Sequence, residues 1–179
     1  MMKNFKITIE YDGTSYHGWQ RQKNEHTVQE EIEKALLVMA GKKTVLTASG
    51  RTDAGVHALG QVANFHCDTA LSPQAFQNGI NSLTKDDIVI IFCDIVDENF
   101  HSRFDAKSKT YHYRLLNQSL PVAINRQYAW FIKKKLNPDA MRLALNHIIG
   151  THDFKAFEGT GSLRSHTTRR IFKAEVLEQ

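Results

Sequence analysis

The hydrophobic positions of the first hundred residues follow strand-like and helix-like spacings in turn. Residues 5–11 alternate with period two and end at an Asp-Gly turn, which predicts a strand. A helix is predicted after Thr27, with Thr27 as N-cap, Glu30 completing a capping box and Gly41 just beyond the end. Its apolar stripe consists of Val28, Ile32, Ala35, Leu36 and Met39.

Further segments complete this first pattern. Strands are predicted at residues 44–48, 61–67 and 88–96, and a helix begins at Ser72-Pro73. The resulting order, β-α-β-β-α-β, is that of the ferredoxin-like split βαβ arrangement, an antiparallel sheet with its helices on one side.

The rest of the chain shows a second α/β pattern. Strands are predicted at residues 109–116, 128–132 and 168–177, and a helix at 138–149, with Pro138 in its first turn and Gly150 behind it. No low-complexity linker separates the halves. The sequence therefore predicts an α+β protein of two ferredoxin-like α/β subdomains, residues 1–100 and 101–179. We expect antiparallel sheets, helices on one side and an active-site cleft between the subdomains.

Composition limits the class of protein. The chain has 179 residues, 41% hydrophobic and 23% charged, which is typical of a globular protein. Its two cysteines, Cys67 and Cys93, lie in apolar strand-like segments, so they indicate two buried thiols rather than a disulfide framework or a metal site. No stretch approaches the length of a membrane span and no secretory leader is evident. We therefore expect a cytoplasmic protein without membrane association.

Charge is unevenly distributed between the two halves. Residues 1–100 carry 9 Lys and Arg against 13 Asp and Glu, whereas residues 101–179 carry 14 against 6. A basic half is typical of a surface that binds a polyanion, with nucleic acid the first candidate. An ordinary solvated surface is the equal alternative at this stage.

Residues 49–58, SGRTDAGVHA, carry the candidate chemistry, because Arg51 and Asp53 stand two positions apart between glycines. Glycine permits tight backbone geometry and close approach of a ligand. A carboxylate that acts as nucleophile or base must be ionised, and a neighbouring arginine favours that form. The alternative is structural, since an Asp in such a turn often hydrogen-bonds its own backbone and a nearby Arg is often a surface partner.

Four blocks resemble one known family. Residues 50–65, GRTDAGVHALGQVANF, resemble the active-site signature of the tRNA pseudouridine synthase A family. ITIEYDGTSYHGWQRQ and the following TVQEEIEKAL resemble its opening strand, loop and helix. FHSRFDAKSKTYHYRL resembles its second signature, and THDFKAF with TTRRIF its later blocks. The resemblance covers essentially the whole chain, in the family's order.

The resemblance implies an RNA-modifying isomerase. The family converts uridine to pseudouridine in the anticodon stem-loop of tRNA, at positions 38–40, with no cofactor and no metal. Its catalytic Asp corresponds to Asp53, its motif Arg to Arg51 and its active-site Tyr to Tyr111. It acts as a homodimer with tRNA lying across both subunits. The carboxylate either attacks covalently or removes a proton along a glycal-type route, and the sequence leaves both open.

The same resemblance gives the basic half a substrate. Contacts from basic side chains to tRNA phosphates would give shape-based, salt-dependent binding. The candidate substrate-binding residues are Tyr111, Arg21, Gly50, Thr52, His57, Arg103, Lys109 and Arg169. Arg164, close to Arg169, is a further basic candidate. On its own, Tyr111 is also compatible with a cross-strand pair with Tyr113, and Trp19 with either an RNA contact or a core position.

Two alternatives and one departure accompany this interpretation. A non-catalytic RNA-binding module fits the fold and the basic half equally well. A metal-dependent hydrolase is the second alternative, although its candidate ligands lack a known metal-binding spacing. Those candidates are His57, His66, His101, Asp53 and Asp105. Family members ordinarily continue past TTRRIFKAEV to a further block, which supplies a basic residue facing the Asp. We therefore expect an incomplete second subdomain.

Overall fold

The chain divides into two units, Met1–Tyr111 and His112–Gln179, so that residues 101–111 belong to the first. The computed structural model describes residues 2–159 and 166–178. Helices and antiparallel sheets occur together, which confirms the predicted α+β class.

The first unit is a four-stranded antiparallel sheet with two helices, formed in the predicted order. Its elements are β1 (Met2–Tyr11), α1 (Val28–Ala40), β2 (Thr47–Ala48), β3 (Ala58–Asp68), α2 (Pro73–Leu83) and β4 (Ile88–Val96). The strand order is β2-β3-β1-β4, so β1 lies inside the sheet between β3 and β4. Because successive strand residues point to opposite faces, the period-two pattern of β1 places its apolar residues on the face that the helices cover.

Large side chains from the sheet and both helices form one core. Phe5, Ile7 and Ile9 of β1 are fully buried, and the Phe5 ring packs against Phe76 of α2 with centroids 4.8 Å apart. Burying each such side chain contributes roughly 1.5–3 kcal/mol of hydrophobic free energy. Cys93 and Cys67 are buried unpaired thiols, as predicted. Burial raises the pKa of Cys93 to about 12.

The ends of the helices show one success and one error of the sequence patterns. Gly41 closes α1 in the left-handed conformation, and Ser72 caps α2 by accepting a hydrogen bond from Ala75 N–H at 3.1 Å. Thr27 is the N-cap of α1, but its hydroxyl is buried and lacks a hydrogen-bond partner among the described residues. The predicted capping box is therefore wrong. Glu30 instead lies 3.6 Å from Lys34, one turn further along the helix.

The second unit contains short elements. They are β5 (Leu115–Asn117), β6 (Trp130–Ile132), α3 (Pro138–Leu145), β7 (Gly150–Asp153) and β8 (Thr168–Ile171), with single 3₁₀ turns at Arg126–Tyr128 and Lys155–Phe157. β7 pairs with β8 antiparallel, whereas β5 pairs with β6 parallel. The expectation of antiparallel pairing throughout is therefore wrong at β5–β6. The helix predicted at 138–149 and the strand predicted at 168–177 both end earlier than expected.

The strand predicted at residues 109–116 is largely absent, and only Leu115 and Leu116 of it lie in a strand, β5. Tyr111 and Tyr113 are 72% and 87% exposed. Alternation alone does not make a strand, because backbone N–H and C=O groups need a partner strand. Tyr111 is therefore not a strand residue, and the cross-strand pairing with Tyr113 is ruled out.

Candidate active site

The segment that carries Asp53 connects β2 to β3, and its first residues are fixed to β3. Ser49 N–H donates to the Val62 carbonyl at 2.8 Å, and the Gln61 side-chain amide donates to the Gly50 carbonyl at 2.6 Å. The Ser49 hydroxyl lies 2.8 Å from Gln61 Oε1. These bonds fix the start of the segment to the sheet. We call the whole segment, residues 49–57, the Asp53 loop.

A second loop, residues 12–22 after β1, packs against the Asp53 loop through backbone hydrogen bonds. Trp19 N–H donates to the Thr52 carbonyl at 3.0 Å, and Gly55 N–H donates to the Tyr16 carbonyl at 3.2 Å. These bonds flank Asp53 on both sides along the chain. Hydrogen bonds between the 12–22 loop and the backbone of Thr52 and Gly55 thus hold the chain on either side of Asp53, without the Asp53 side chain.

The close approach of the two loops requires glycine at two positions of the 12–22 loop. A Cβ at Gly13 would lie 2.1 Å from the Val56 carbonyl oxygen, and one at Gly18 would lie 2.4 Å from the Thr52 carbonyl oxygen. Gly18 also has φ of +81°, a conformation that side chains disfavour. Any larger residue at either position would push the loops apart.

Two aromatic side chains, Trp19 and Tyr11, take part in the contact between the two loops. Trp19 is 1% exposed, so it is a core residue and not an RNA-facing one. Tyr11 lies beside it, and the Tyr11 hydroxyl is 2.8 Å from the Thr52 hydroxyl. Burial raises the pKa of Tyr11. Thr52 therefore has its backbone carbonyl and its side chain both bonded within the protein.

His57 joins the two loops at the other end of the Asp53 loop. Its Nδ1 lies 2.9 Å from Asp12 Oδ1 and 3.1 Å from the Gly13 backbone nitrogen. A protonated Nδ1 donates to Asp12, and an unprotonated Nδ1 accepts from Gly13 N–H. In either state His57 ties its loop to the start of the 12–22 loop. This geometry assigns His57 a positioning role, which the sequence did not suggest.

The Asp53 side chain itself is exposed to solvent. Its backbone carbonyl accepts Val56 N–H at 3.2 Å. Within residues 2–159 and 166–178, its carboxylate makes no hydrogen bond or ion pair, and none joins it to the equally exposed Arg51. The alternative of a structural turn aspartate, whose carboxylate bonds its own backbone, is therefore not what the structure has.

Two further predicted site residues, Lys109 and Tyr111, lie at the end of the first unit. A Cβ at Gly50 would lie 2.8 Å from Lys109 Nζ, so the Lys109 ammonium lies against the start of the Asp53 loop. Tyr111, two residues later, is exposed. The structure thus brings a cation and the chain leading to Tyr111 to the Asp53 loop.

Arg103 and Arg21 occupy separate places in the first unit. Arg103 follows Ser102, whose N–H and hydroxyl both donate to Asn64 Oδ1, at 2.9 and 2.8 Å. The Arg103 guanidinium lies 5.8 Å from the ring centroid of Phe104. Arg21 lies in the 12–22 loop, with Nη1 2.6 Å from Glu33 Oε2.

Arg169 lies in the second unit, on β8. Its Nη1 donates to the Thr168 carbonyl at 2.7 Å and lies 3.2 Å from the His166 carbonyl. The basic candidate Arg164 falls outside the described residues.

The geometry gives no support to the metal-ligand set. No group of three or more His, Cys, Asp or Glu among the described residues is arranged to hold a metal ion. His66 Nε2 instead lies 3.1 Å from the Glu98 carbonyl, and His101 packs on Phe104 with centroids 4.2 Å apart. Across the described residues, none of the helices has the length and apolar character that a membrane span requires.

Two surface cavities, of about 310 and 400 Å³, lie in the second unit. One lies between α3 and the chain after β8, and the other beside β5. None of the predicted site residues lines either cavity. Neither of these two cavities therefore marks the candidate site, which we define by the Asp53 loop of the first unit.

Comparison with known proteins agrees with the motifs. Residues 7–105 match the model of a family described as tRNA pseudouridine synthase. A tRNA pseudouridine synthase A of Clostridium acetobutylicum is 47% identical over 177 residues, covering 99% of this chain and 72% of the relative. A tRNA pseudouridine synthase A of Thermoanaerobacter sp. is 44% identical. A tRNA pseudouridine synthase A 2 of Bacillus anthracis is 40% identical. They align with 98% and 99% of this chain, and with 72% and 73% of their own lengths. The chain therefore belongs to the tRNA pseudouridine synthase family, a family of isomerases.

Proposed function

We propose that this protein converts uridine to pseudouridine in the anticodon stem-loop of tRNA, at positions 38–40, and that Asp53 is its catalytic residue. One observation carries the proposal. The Asp53 backbone is fixed on both sides by the 12–22 loop, while its carboxylate is exposed and makes no bond within the described residues. A rigid backbone with an available carboxylate is what preorganised catalysis requires.

The reaction rearranges bonds within a single nucleotide. The N1–C1′ bond of uridine breaks, the uracil turns, and a C5–C1′ bond forms. The proton on C5 leaves and N1 gains one, so no oxidant or second substrate is consumed. An ionised Asp53 can serve as nucleophile, forming a covalent intermediate, or as base, removing a sugar proton. Either route uses the same carboxylate in the same place.

In the proposal, other candidate residues bind the RNA. A uridine in a stacked arm must leave its stack before it reacts. In the proposal, Tyr111 stacks on the extruded base, and Arg51 occupies the vacated space or binds phosphate. Lys109, Arg103 and Arg169 contribute positive charge to backbone contacts. Gly50, Thr52 and His57 act by shaping the Asp53 loop rather than by touching RNA.

The family resemblance also carries proposals about cofactors, assembly and compartment. The reaction as written needs no cofactor and no metal. We propose a homodimer, with tRNA contacting both subunits, in the cytoplasm. Sedimentation of the protein with and without tRNA would establish the assembly.

Release of tritium from tRNA labelled at C5 of uridine tests the proposal. We expect release by the wild-type protein, and none by Asp53→Asn, because the amide can neither attack nor remove a proton. Asp86→Asn is the matched control, since Asp86 is an exposed carboxylate beyond α2, and it should release label normally. Equal release by Asp53→Asn and wild type would contradict the role of Asp53.

A second candidate function is a non-catalytic RNA-binding module, which the excess of basic residues after position 100 favours. It predicts no release by the wild-type protein and salt-dependent tRNA binding that Asp53→Asn leaves unchanged. The same two proteins therefore separate the two functions.

A further inference from the structure

A buried carboxylate lies beneath the 12–22 loop. Glu33 of α1 is 7% exposed. Its Oε1 accepts hydrogen bonds from Gln29 Nε2 at 2.9 Å and from Leu46 N–H at 3.0 Å, and its Oε2 accepts Arg21 Nη1 at 2.6 Å. Burying a charge is unfavourable unless it is paired and hydrogen-bonded, and here both oxygens are bonded.

Gln29, one turn before Glu33, extends the network to the backbone of Arg21. It is 5% exposed. Its Oε1 accepts Arg21 N–H at 3.0 Å and Gln20 Nε2 at 2.8 Å, and its Nε2 also donates to the Leu46 carbonyl at 3.0 Å. Both the backbone and the guanidinium of Arg21 are therefore fixed by buried groups of a single helix.

This anchoring leaves part of Arg21 available. The Arg21 side chain is 40% exposed, and Glu33 occupies one of the five N–H donors of its guanidinium. A solvated arginine loses rotamer entropy when it binds a ligand. An arginine already fixed by buried partners loses less, and its planar fork suits a phosphate.

The anchored arginine belongs to the loop that packs against the Asp53 loop. Arg21 stands two residues after Trp19, whose N–H donates to the carbonyl of Thr52, the residue before Asp53. The Trp19 contact is a backbone bond, so it fixes the backbone that precedes Arg21 relative to the backbone that precedes Asp53. A group bound by Arg21 is therefore held at a defined place relative to the backbone of the Asp53 loop.

We propose that Arg21 binds a backbone phosphate of the RNA beside the target uridine, and that Glu33 and Gln29 are positioning residues for it. This inference rests on the proposed function for the identity of the RNA. The phosphate contact would place the sugar of the target nucleotide relative to Asp53. The proposed occupant is a phosphodiester, because its negative charge and paired oxygens match the guanidinium fork.

The salt dependence of tRNA binding tests the inference, measured in an Asp53→Asn background so that no turnover occurs. The probe is an unmodified tRNA transcript with uridine at positions 38–40. The double variant Arg21→Gln/Glu33→Gln removes the cation and its buried partner together, so no unpaired charge remains in the interior. We expect the slope of log K against log salt to fall by about 0.7–0.9, and binding to weaken about tenfold.

Two single variants distinguish the phosphate contact from other effects. One tests the positioning role of Glu33, and the other tests the effect of removing a positive charge elsewhere on α1. Glu33→Gln keeps the arginine but loosens it, so affinity should fall several-fold with the slope unchanged. Lys34→Gln is the matched control on the same helix, where Lys34 is exposed and 2.8 Å from Glu31. It should keep both the slope and the affinity. Thermal unfolding of each variant verifies that it is folded.

The outcomes also separate this inference from the proposed function. A folded double variant with wild-type slope and affinity would show that Arg21–Glu33 is only a structural ion pair, and would overturn the inference. If the wild-type protein releases no tritium while the slope still falls in the double variant, the phosphate contact stands and the catalytic proposal fails.

Discussion

Gly18 and the Thr52 carbonyl are in direct contact, and a Cβ built on Gly18 would lie 2.4 Å from that oxygen. Real Cβ atoms do not approach backbone oxygens so closely, and both partners are backbone. The same carbonyl accepts Trp19 N–H at 3.0 Å. The position of Asp53 is therefore set by the absence of a side chain in a different loop.

Gly18→Ala should separate the two loops and slow the proposed reaction. The substitution combines a disfavoured positive φ, costing about 1 kcal/mol, with a clash against the Thr52 carbonyl that only backbone movement relieves. Displacing a catalytic group by about 1 Å can cost roughly a hundredfold in rate, and we expect a loss of kcat of that order in the tritium assay.

Gly41→Ala is the control for Gly18→Ala. Gly41 also has positive φ, at +66°, but a Cβ there meets nothing within 4 Å. It should lower the free energy of unfolding by about 1 kcal/mol and leave kcat unchanged. Similar kcat losses in both variants would show that backbone strain, and not the contact with Thr52, explains the effect.

Tyr11 and Thr52 should be energetically coupled, because their hydroxyls lie 2.8 Å apart in a half-buried setting. Tyr11→Phe and Thr52→Val each leave one hydroxyl unsatisfied, so each should cost about 1–2 kcal/mol. The double variant should cost less than the sum, with a coupling of about 1 kcal/mol in urea unfolding. Strictly additive losses would mean that the two hydroxyls do not interact.

The periodic patterns predicted most of the first unit, because those residues are set by one-sided burial. The alternation of β1 and the apolar stripe of α1 describe faces that pack on a common core. The strand predicted at residues 109–116 was largely wrong, because alternation indicates which side chains can be buried on one face and not whether a partner strand exists. The local sequence around Tyr111 contains no information about that partner.

The sequence predicts Asp53 as the candidate catalytic residue, but the surroundings of Asp53 could not be predicted from the pattern. The bonds that fix the Asp53 loop join backbone groups far apart in sequence, such as Gly55 N–H and the Tyr16 carbonyl. Backbone bonds leave no trace in side-chain identity. Gln29 and Glu33, likewise, look like the solvated face of α1, and only the loop folded over them makes them buried.

Neither thiol should react in the native protein. Cys67 and Cys93 are buried, and burial raises the pKa of both, so the reactive thiolate is scarce at neutral or mildly alkaline pH. We expect iodoacetamide to label neither cysteine in the folded protein and both in denaturant, as counted by mass spectrometry. Labelling of the native protein at a rate like that of a free thiol would contradict the buried placement.

Asn64 should be a large contributor to stability although it is polar and lies within a strand. Its Oδ1 accepts both the N–H and the hydroxyl of Ser102, and its Nδ2 donates to Asn4 Oδ1 at 3.0 Å. Asn4 in turn donates to the carbonyls of Asp97 and Phe100, at 2.9 Å each. This buried network fixes the segment that leads from β4 to Arg103.

Asn64→Ala should therefore lower the free energy of unfolding by about 2–3 kcal/mol, because it leaves buried donors on Ser102 and an acceptor on Asn4 unsatisfied. Urea unfolding measures the loss. Asn78→Ala, on the exposed face of α2, removes the acceptor of a surface hydrogen bond from Gln74 and should change stability by no more than about 0.5 kcal/mol. Equal effects of the two substitutions would show that the network contributes no more than a surface contact. A larger loss at Asn64, accompanied by weaker tRNA binding, would link the fixed segment to the placement of Arg103.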